Sequence, residues 1–233
     1  PVGADGYLFF RGWLHLLLAT YKYVSGSDKW AGTFKVTGYG DEEFEWDHHR
    51  LAARLEAQYR ARPEGPQCEN TKIWFYCSSA ASLGMYLYDK VYNKQTHLAS
   101  DNFLEYARRN NVGVGNDGKL QWVTSHYDPL IDFKLNGPAA GGALAAFLIA
   151  PQNREFATVL YDSAANALGY RAPNAQVRSN PAMLVMTREL GDAQVAERLQ
   201  AAAEREAVPR FFGKNRGTAS DRKSTRLNSS HIT

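Results

Sequence analysis

The chain has 233 residues, 44% hydrophobic and 12% aromatic, values typical of a globular protein with one sizeable core and outside the range of disordered chains. Its net charge of +3, without any run of Lys and Arg, argues against a nucleic-acid partner. The longest apolar stretch, residues 139–150, is too short to cross a bilayer, so no membrane span is predicted.

Apolar residues recur at helical spacing through most of the chain and predict a series of helices. The third of these is expected to begin near Thr71 and to run to about Tyr92. Only Leu120–Ser125 has a strand-like pattern, which predicts a short arm near residues 119–125. The residues that mark the helices are, in chain order, Leu14, Leu17, Leu18 and Tyr21; Leu51, Leu55 and Tyr59; Trp74, Cys77, Ala81 and Met85; Phe103, Leu104 and Ala107; Phe156, Val159, Leu160 and Ala164; and Val195, Leu199 and Ala202.

Helices joined by short polar segments predict an all-α fold of antiparallel helix pairs. Such pairs suit either a solenoid or a closed α/α toroid, and aromatic residues on several helices favour the toroid. The pattern contains no βαβ alternation and no glycine-rich phosphate loop, because Gly113 and Gly115 lead into a turn rather than a helix.

The two ends of the chain differ from the rest. The sequence starts at Pro1 without an initiator Met, and DRKSTRLNSSHIT at 221–233 resembles an in-frame translation of a common sequencing adapter. We therefore expect one domain over 1–220, truncated at both ends, and a tail outside the fold; a genuine polar tail is the alternative. A targeting segment would precede residue 1, so the localisation, cytoplasmic or periplasmic, stays open.

The only two cysteines stand nine positions apart in CENTKIWFYC, residues 68–77. With Asn70 or Thr71 as the N-cap, Cys68 lies in the loop before the helix and Cys77 about 9 Å along it. Zinc is disfavoured, because the spacing fits no zinc-finger pattern. Three interpretations remain, namely a disulfide, two inert buried thiols, and a reactive pair activated by the positive helix terminus.

Other polar groups are weaker candidates. Ser125–Pro129 offers an acid/base cluster with His126, Tyr127 and Asp128, or else an Asp-Pro turn beside a solvated histidine. His48 and His49 are expected on a solvated helix start, and the acidic residues of 41–45 are expected at a helix N-terminus. Glu69 is placed either to orient or deprotonate Cys68, or as a simple charge in the first helical turn.

The segment CENTKIWFYC followed by SSAASLGMYLYDKVY resembles the paired-cysteine region of the linalool dehydratase/isomerase family. The stretch FRGWLHLLLATYKYVSG at 10–26 is similar to a helix of that family, and the resemblance covers about residues 6–213. It implies a partial (α/α)6 barrel, a possible homo-oligomer, that works without metal or organic cofactor. The implied activity is dehydration and isomerisation of an allylic terpene alcohol, a small hydrophobic substrate.

By this resemblance Cys68 and Cys77 are the acid/base pair and Trp74 is a pocket wall. Trp13 stands where the family has a catalytic histidine, with His15 on another side of the helix, and Gly141 falls near the place of a pocket tyrosine. Residues 34–46 look like an insertion. The residues predicted to bind substrate are Trp74, Trp13, Glu69, Tyr127 and Asp128.

Two alternatives remain open at this point. The first is a glycan-active α/α-barrel enzyme that uses Asp or Glu as its acid and base. The second is a non-catalytic homologue that binds a hydrophobic ligand, an interpretation favoured by Trp13 and Gly141 at places where catalytic groups are expected.

Overall fold

The computed structural model describes residues 8–38, 40–69, 71–117 and 119–211, with side chains up to 206. The chain divides into two compact units, one ending at Gly169 and one beginning at Tyr170. The predicted tail at 221–233 lies outside the described residues. Among the described residues no helix is both long enough and apolar enough to cross a membrane.

Among its described residues the first unit contains six α-helices, and two of them begin at a side-chain cap. Asp47 accepts a hydrogen bond from the Arg50 N–H at 2.7 Å, and Asn153 accepts one from the Phe156 N–H at 3.0 Å, so two helices start where their orphan amides are satisfied. A 3₁₀ turn, Ala139–Gly141, precedes the fifth helix. The helices are α1 (Leu8–Ser25), α2 (His48–Ala61), α3 (Phe75–Tyr92), α4 (Leu98–Asn110), α5 (Gly142–Ile149) and α6 (Arg154–Ala167).

Helix α1 packs closely against α3 through two glycines. A Cβ added at Gly12 would lie 2.9 Å from Ala81 Cβ, and one added at Gly84 would lie 2.9 Å from the Leu16 backbone N. These separations are shorter than ordinary van der Waals contact, so only glycine allows the two backbones to approach this far. The crossing fixes the position of α1 along α3.

The buried face of α1 differs from the apolar stripe that marks the helix in the sequence. Leu17 is 64% exposed and Tyr21 is also exposed, whereas the polar residues Arg11 and His15 are fully buried. The helix itself is confirmed, but only part of its stripe faces the core: Leu18 is buried there, whereas Leu17 and Tyr21 are not. As shown below, part of that stripe lines a cavity.

The expectation of an all-α chain needs correction, because two sheets accompany the helices. Residues 34–46, which look like an insertion, form a hairpin of β1 (Phe34–Thr37) and β2 (Glu43–Trp46). The acidic residues of 41–45 lie in this hairpin, so the prediction that they begin a helix is wrong. The chain is nevertheless mostly helical, as expected.

A second sheet has four strands, and one of them is central and pairs with the other three. The predicted arm is confirmed as β5 (Leu120–Asp128), which pairs antiparallel with β3 (Ile73–Trp74), β4 (Val112–Val114) and β6 (Phe133–Pro138). Because β6 pairs with the same β5 residues as β3 and β4 do, β6 occupies one edge of β5, and β3 and β4 share the other. A closed (α/α)6 barrel stays a prediction.

The second unit contains α7 (Pro181–Leu190) and α8 (Ala193–Phe211), which pack against each other. Asn180 caps α7 by accepting from the Met183 N–H, and Gly191 ends it at φ 78°, a left-handed conformation that glycine adopts without strain. This unit contains none of the candidate site residues.

Candidate functional site

The loop that carries Cys68 is held by the start of α1. The N–H groups of Leu8 and Phe9 donate to the carbonyl oxygens of Gln67 and Cys68 at 3.0 and 3.2 Å. These are first-turn amides that have no partner within their own helix. The loop therefore caps α1, and Cys68 lies against the helix that carries Trp13.

The chain then reverses, so the two cysteines approach by a turn rather than along a helix. The Cys68 N–H donates to the Lys72 carbonyl at 2.8 Å, and the Lys72 N–H donates to the Glu69 carbonyl at 2.9 Å. The predicted third helix is confirmed to Tyr92, but its expected start near Thr71 is wrong, because β3 holds residues 73–74 extended against β5. Asn70, the other proposed cap, lies outside the described residues.

Cys77 is consequently the third residue of α3, not a residue well along that helix. A first-turn position places its sulfur near unpaired amide groups and the positive end of the helix dipole. Both features stabilise a thiolate relative to a thiol. The sequence assigned this favourable place to Cys68, and the structure gives it to Cys77.

The two side chains are free thiols, and each perturbs the pKa of the other. Cys68 is buried and Cys77 is partly exposed. Hydrogen bonding to Cys77, together with burial, raises the pKa of Cys68 well above that of an ordinary thiol. The hydrogen bond from Cys68 lowers the pKa of Cys77, and a second hydrogen bond from the Trp13 side chain lowers it further. The two thiols therefore have pKa values that are shifted in opposite directions.

An apolar cavity of about 600 Å³ is lined by Cys68 and not by Cys77. Its walls combine Cys68 and Glu69 with one face of α1, including Trp13, which is 37% exposed. The carboxylate of Glu69 raises the pKa of both cysteines through its negative charge. Glu69 belongs to the reversing turn, so it is not a charge of a first helical turn. The remaining lining residues are Phe9, Phe10, Leu14 and Leu17.

Gly141, where the resemblance places a pocket tyrosine, faces a tyrosine from another helix. The Tyr76 hydroxyl donates to the Gly141 carbonyl at 2.9 Å, and a Cβ added at Gly141 would meet that hydroxyl at 2.8 Å. Burial raises the pKa of Tyr76. The space beside Gly141 is therefore filled by the side chain of Tyr76, which precedes Cys77 in sequence. The aromatic run around Cys77 was the only available signal for Tyr76.

The other predicted substrate-binding residues lie on the sheet. The Trp74 ring centroid is 4.8 Å from that of His126, which is buried, so the expectation of a solvated histidine is wrong. Asp128 accepts from the Thr71 hydroxyl at 2.5 Å, and this bond lowers its pKa. The Tyr127 hydroxyl donates to Asp132 at 3.1 Å. Contact of Trp74, Tyr127 or Asp128 with substrate stays a prediction.

A buried histidine cluster was not expected from the sequence. His48 begins α2 but is buried, which corrects its assignment to a solvated helix start, whereas His49 is exposed. The ring centroid of His48 lies 4.9 Å from those of His15 and Tyr88. Burial lowers the pKa of His48 to about 4, and burial followed by the His48 charge lowers that of His15. His15 lies on another side of α1 from Trp13, as expected.

Among the residues that the structure describes, no three His, Cys, Asp or Glu side chains are grouped to hold a metal ion. Comparison with protein families matches residues 7–225 to the family model described as Ldi, linalool dehydratase/isomerase. The match runs into the first residues of the predicted tail. The comparison with curated proteins found no match.

Proposed function

The chain belongs to the linalool dehydratase/isomerase family, and from this premise we propose that it dehydrates and isomerises a hydrophobic allylic alcohol by cysteine acid/base catalysis. The observation that carries the proposal is the pair of free thiols with opposite pKa shifts, one of which, Cys68, lines an apolar cavity. Dehydration needs one group that protonates the leaving hydroxyl and another that removes a proton from carbon. Two thiols with opposite pKa shifts supply these roles.

In the proposed reaction Cys68 is the acid and Cys77 the base. Cys68 gives its proton to the substrate hydroxyl, the C–O bond breaks, and water leaves. The Cys77 thiolate then takes a proton from the adjacent carbon, and that C–H electron pair forms the new double bond. Proton transfer from Cys77 back to Cys68 restores the starting state. Isomerisation follows the same first step; water then forms a new C–O bond at the other end of the allyl cation, and the Cys68 thiolate takes back the proton that this water loses.

The cavity suits a small apolar substrate. Its volume of about 600 Å³ lies within the range of small-molecule sites, and most of its lining is aromatic or aliphatic. Trp13 presents an aromatic ring to the cavity, and such a ring attracts the positive charge that develops on an allyl unit as the C–O bond breaks. No step calls for a metal ion or an organic cofactor.

The glycan-active alternative is less well supported by the same cavity. Glycoside hydrolysis uses a pair of carboxylic residues, one on each side of the scissile bond. Among the residues that line this cavity Glu69 is the one carboxylate, and the remaining walls are apolar apart from Cys68. A sugar ring would leave most of its hydroxyl groups without partners there.

The test compares the protein with Cys68→Ser and Cys77→Ser on linalool, with the diene product measured by gas chromatography. Serine keeps the size and a hydrogen bond but has a much less acidic proton, so we expect each variant to lose about 10²–10⁴-fold in rate. Circular dichroism establishes that each variant is folded. A folded serine variant that turns over at the unmodified rate would exclude the acid/base role, and glycan turnover that survives both changes would support the alternative.

A further inference from the structure

A second apolar cavity adjoins the one that Cys68 lines. Its volume is about 420 Å³, and Phe10, Leu14 and Leu17 of α1 line both cavities. These three residues lie at helical positions i, i+4 and i+7, so they form one continuous stripe along α1. The two cavities are therefore neighbouring parts of one apolar groove. The residues that line the second cavity alone are Leu18, Tyr21, Trp30, Phe34, Lys35 and Val36.

The β1–β2 hairpin forms the opposite wall of the second cavity. Side chains alternate along β1, so Phe34 and Val36 share one face, where both pack against the core cluster that contains Leu18 of α1. The ring of Trp30, just before β1, meets that of Phe34 edge-on, with centroids 6.1 Å apart. The one charged lining residue, Lys35, already pairs with Glu43 of β2 at 2.7 Å. This wall therefore offers a ligand mainly hydrocarbon and aromatic surface.

The polar groups of the groove lie at one end of it. Cys68 and Glu69 line the first cavity, and the hydrogen bond from the Phe9 N–H to the Cys68 carbonyl places them at the N-terminal end of α1. The hairpin contacts α1 further along, at Leu18. From Phe9 to Tyr21 the helix rises by about 18 Å. A groove of this form matches a molecule with a hydroxyl group at one end and a long hydrocarbon tail.

We propose that the second cavity holds the hydrocarbon tail of the substrate, so that the hairpin sets the length of the alcohol that the protein accepts. This inference rests on the proposed function, which places the hydroxyl group beside Cys68. The tail covers apolar side chains that α1 leaves in contact with water, among them Leu17 and Tyr21. Each methylene group that is buried in this way tightens binding about fourfold. The preferred substrates are then allylic alcohols with a longer isoprenoid chain than that of linalool.

The test measures the binding of linalool and of nerolidol, which is linalool lengthened by one isoprene unit, by isothermal titration calorimetry. The background is Cys77→Ser, because Cys77 lines neither cavity and its loss slows turnover. Val36→Phe places a larger side chain in the second cavity. We expect it to weaken the binding of nerolidol about tenfold more than that of linalool, as follows from the exclusion of about two methylene groups.

Two further variants secure the result. Val114→Phe makes the same change on an exposed strand valine outside both cavities, so the ratio of the two affinities should not move. Trp30→Ala removes a wall of the second cavity at a site that is 37% exposed, so it decides the question if Val36→Phe fails to fold. It should also weaken nerolidol more than linalool. Circular dichroism checks folding, and folded variants at 30 and 36 that leave the ratio unchanged would overturn the inference.

A second copy of the chain is the alternative occupant of this apolar face. A dimer in sedimentation velocity that Val36→Phe dissociates, with an unchanged ratio of affinities, would overturn the inference in favour of that interface. Binding needs no turnover, so a loss of affinity confined to nerolidol in a protein that fails to dehydrate linalool would overturn the proposed reaction and leave the second cavity as a tail site. Linalool turnover that depends on both cysteines, together with an unchanged ratio, would overturn this inference alone.

Discussion

Acidification should destabilise the protein through His48. This residue is buried at the start of α2, with its ring edge-on to His15 and Tyr88, and its pKa is lowered from 6.5 to about 4. The unfolded chain binds a proton on this imidazole below pH 6.5, whereas the folded chain resists it. The stability that His48 contributes is therefore complete above pH 6.5 and is lost as the pH falls from 6.5 towards 4.

The magnitude follows from these two pKa values. Between pH 7 and pH 5 the imidazole of His48 takes up much more of a proton in the unfolded chain than in the folded chain. This difference lowers the free energy of unfolding by about 2 kcal/mol. His15 adds a loss in the same direction, because its pKa is also lowered by burial. Against a total stability of about 5–15 kcal/mol for a domain, a change of this size is readily measured.

Urea denaturation followed by tryptophan fluorescence at both pH values provides the assay. His48→Phe keeps an aromatic ring in the cluster and removes the ionisable group, so we expect the variant to lose about 2 kcal/mol less than the unmodified protein on acidification. If His48→Phe and the unmodified protein lose the same free energy of unfolding between pH 7 and pH 5, the explanation based on His48 is refuted.

Three further outcomes are expected. The value of kcat/KM for linalool should fall as the pH drops through the lowered pKa of Cys77 and stay level above it; a profile flat through the acid range would contradict the base role. Gly84→Ala should cost about 1–3 kcal/mol in urea denaturation, because its Cβ meets the Leu16 backbone, while Gly32→Ala, at a site with open space, provides the control. Asp47→Ala should cost about 1 kcal/mol through the lost cap of α2, and an unchanged denaturation midpoint would contradict that role.

Local signals were sufficient for the elements whose ends are set by their own residues. Helix α2 was located by the apolar spacing of its own residues and by the proline that follows it, and β5 was located by its strand-like pattern after a glycine-containing turn. The cysteine pair was also predictable as a unit, because its spacing and aromatic filling resemble the family. What these segments share is that sequence neighbours decide their structure.

The errors have a common origin in contacts between distant residues. The segment before α3 was expected to be helical, but pairing with β5 holds Ile73 and Trp74 extended, and that choice depends on residues about fifty positions away. His48 was expected to be solvated, because nothing near it in sequence indicates that α1 and α3 cover it. Leu17 was expected in the core, and its exposure follows from the cavity beside α1.

The contact between Tyr76 and Gly141 has a consequence for how this site can change over evolutionary time. One volume is shared by two positions of the chain, and at present the phenol of Tyr76 occupies it. A side chain gained at 141 alone would have to expel that phenol, whereas a simultaneous reduction at 76 would accommodate it. A larger side chain at position 141 therefore requires a smaller one at position 76, so we expect the two positions to change together.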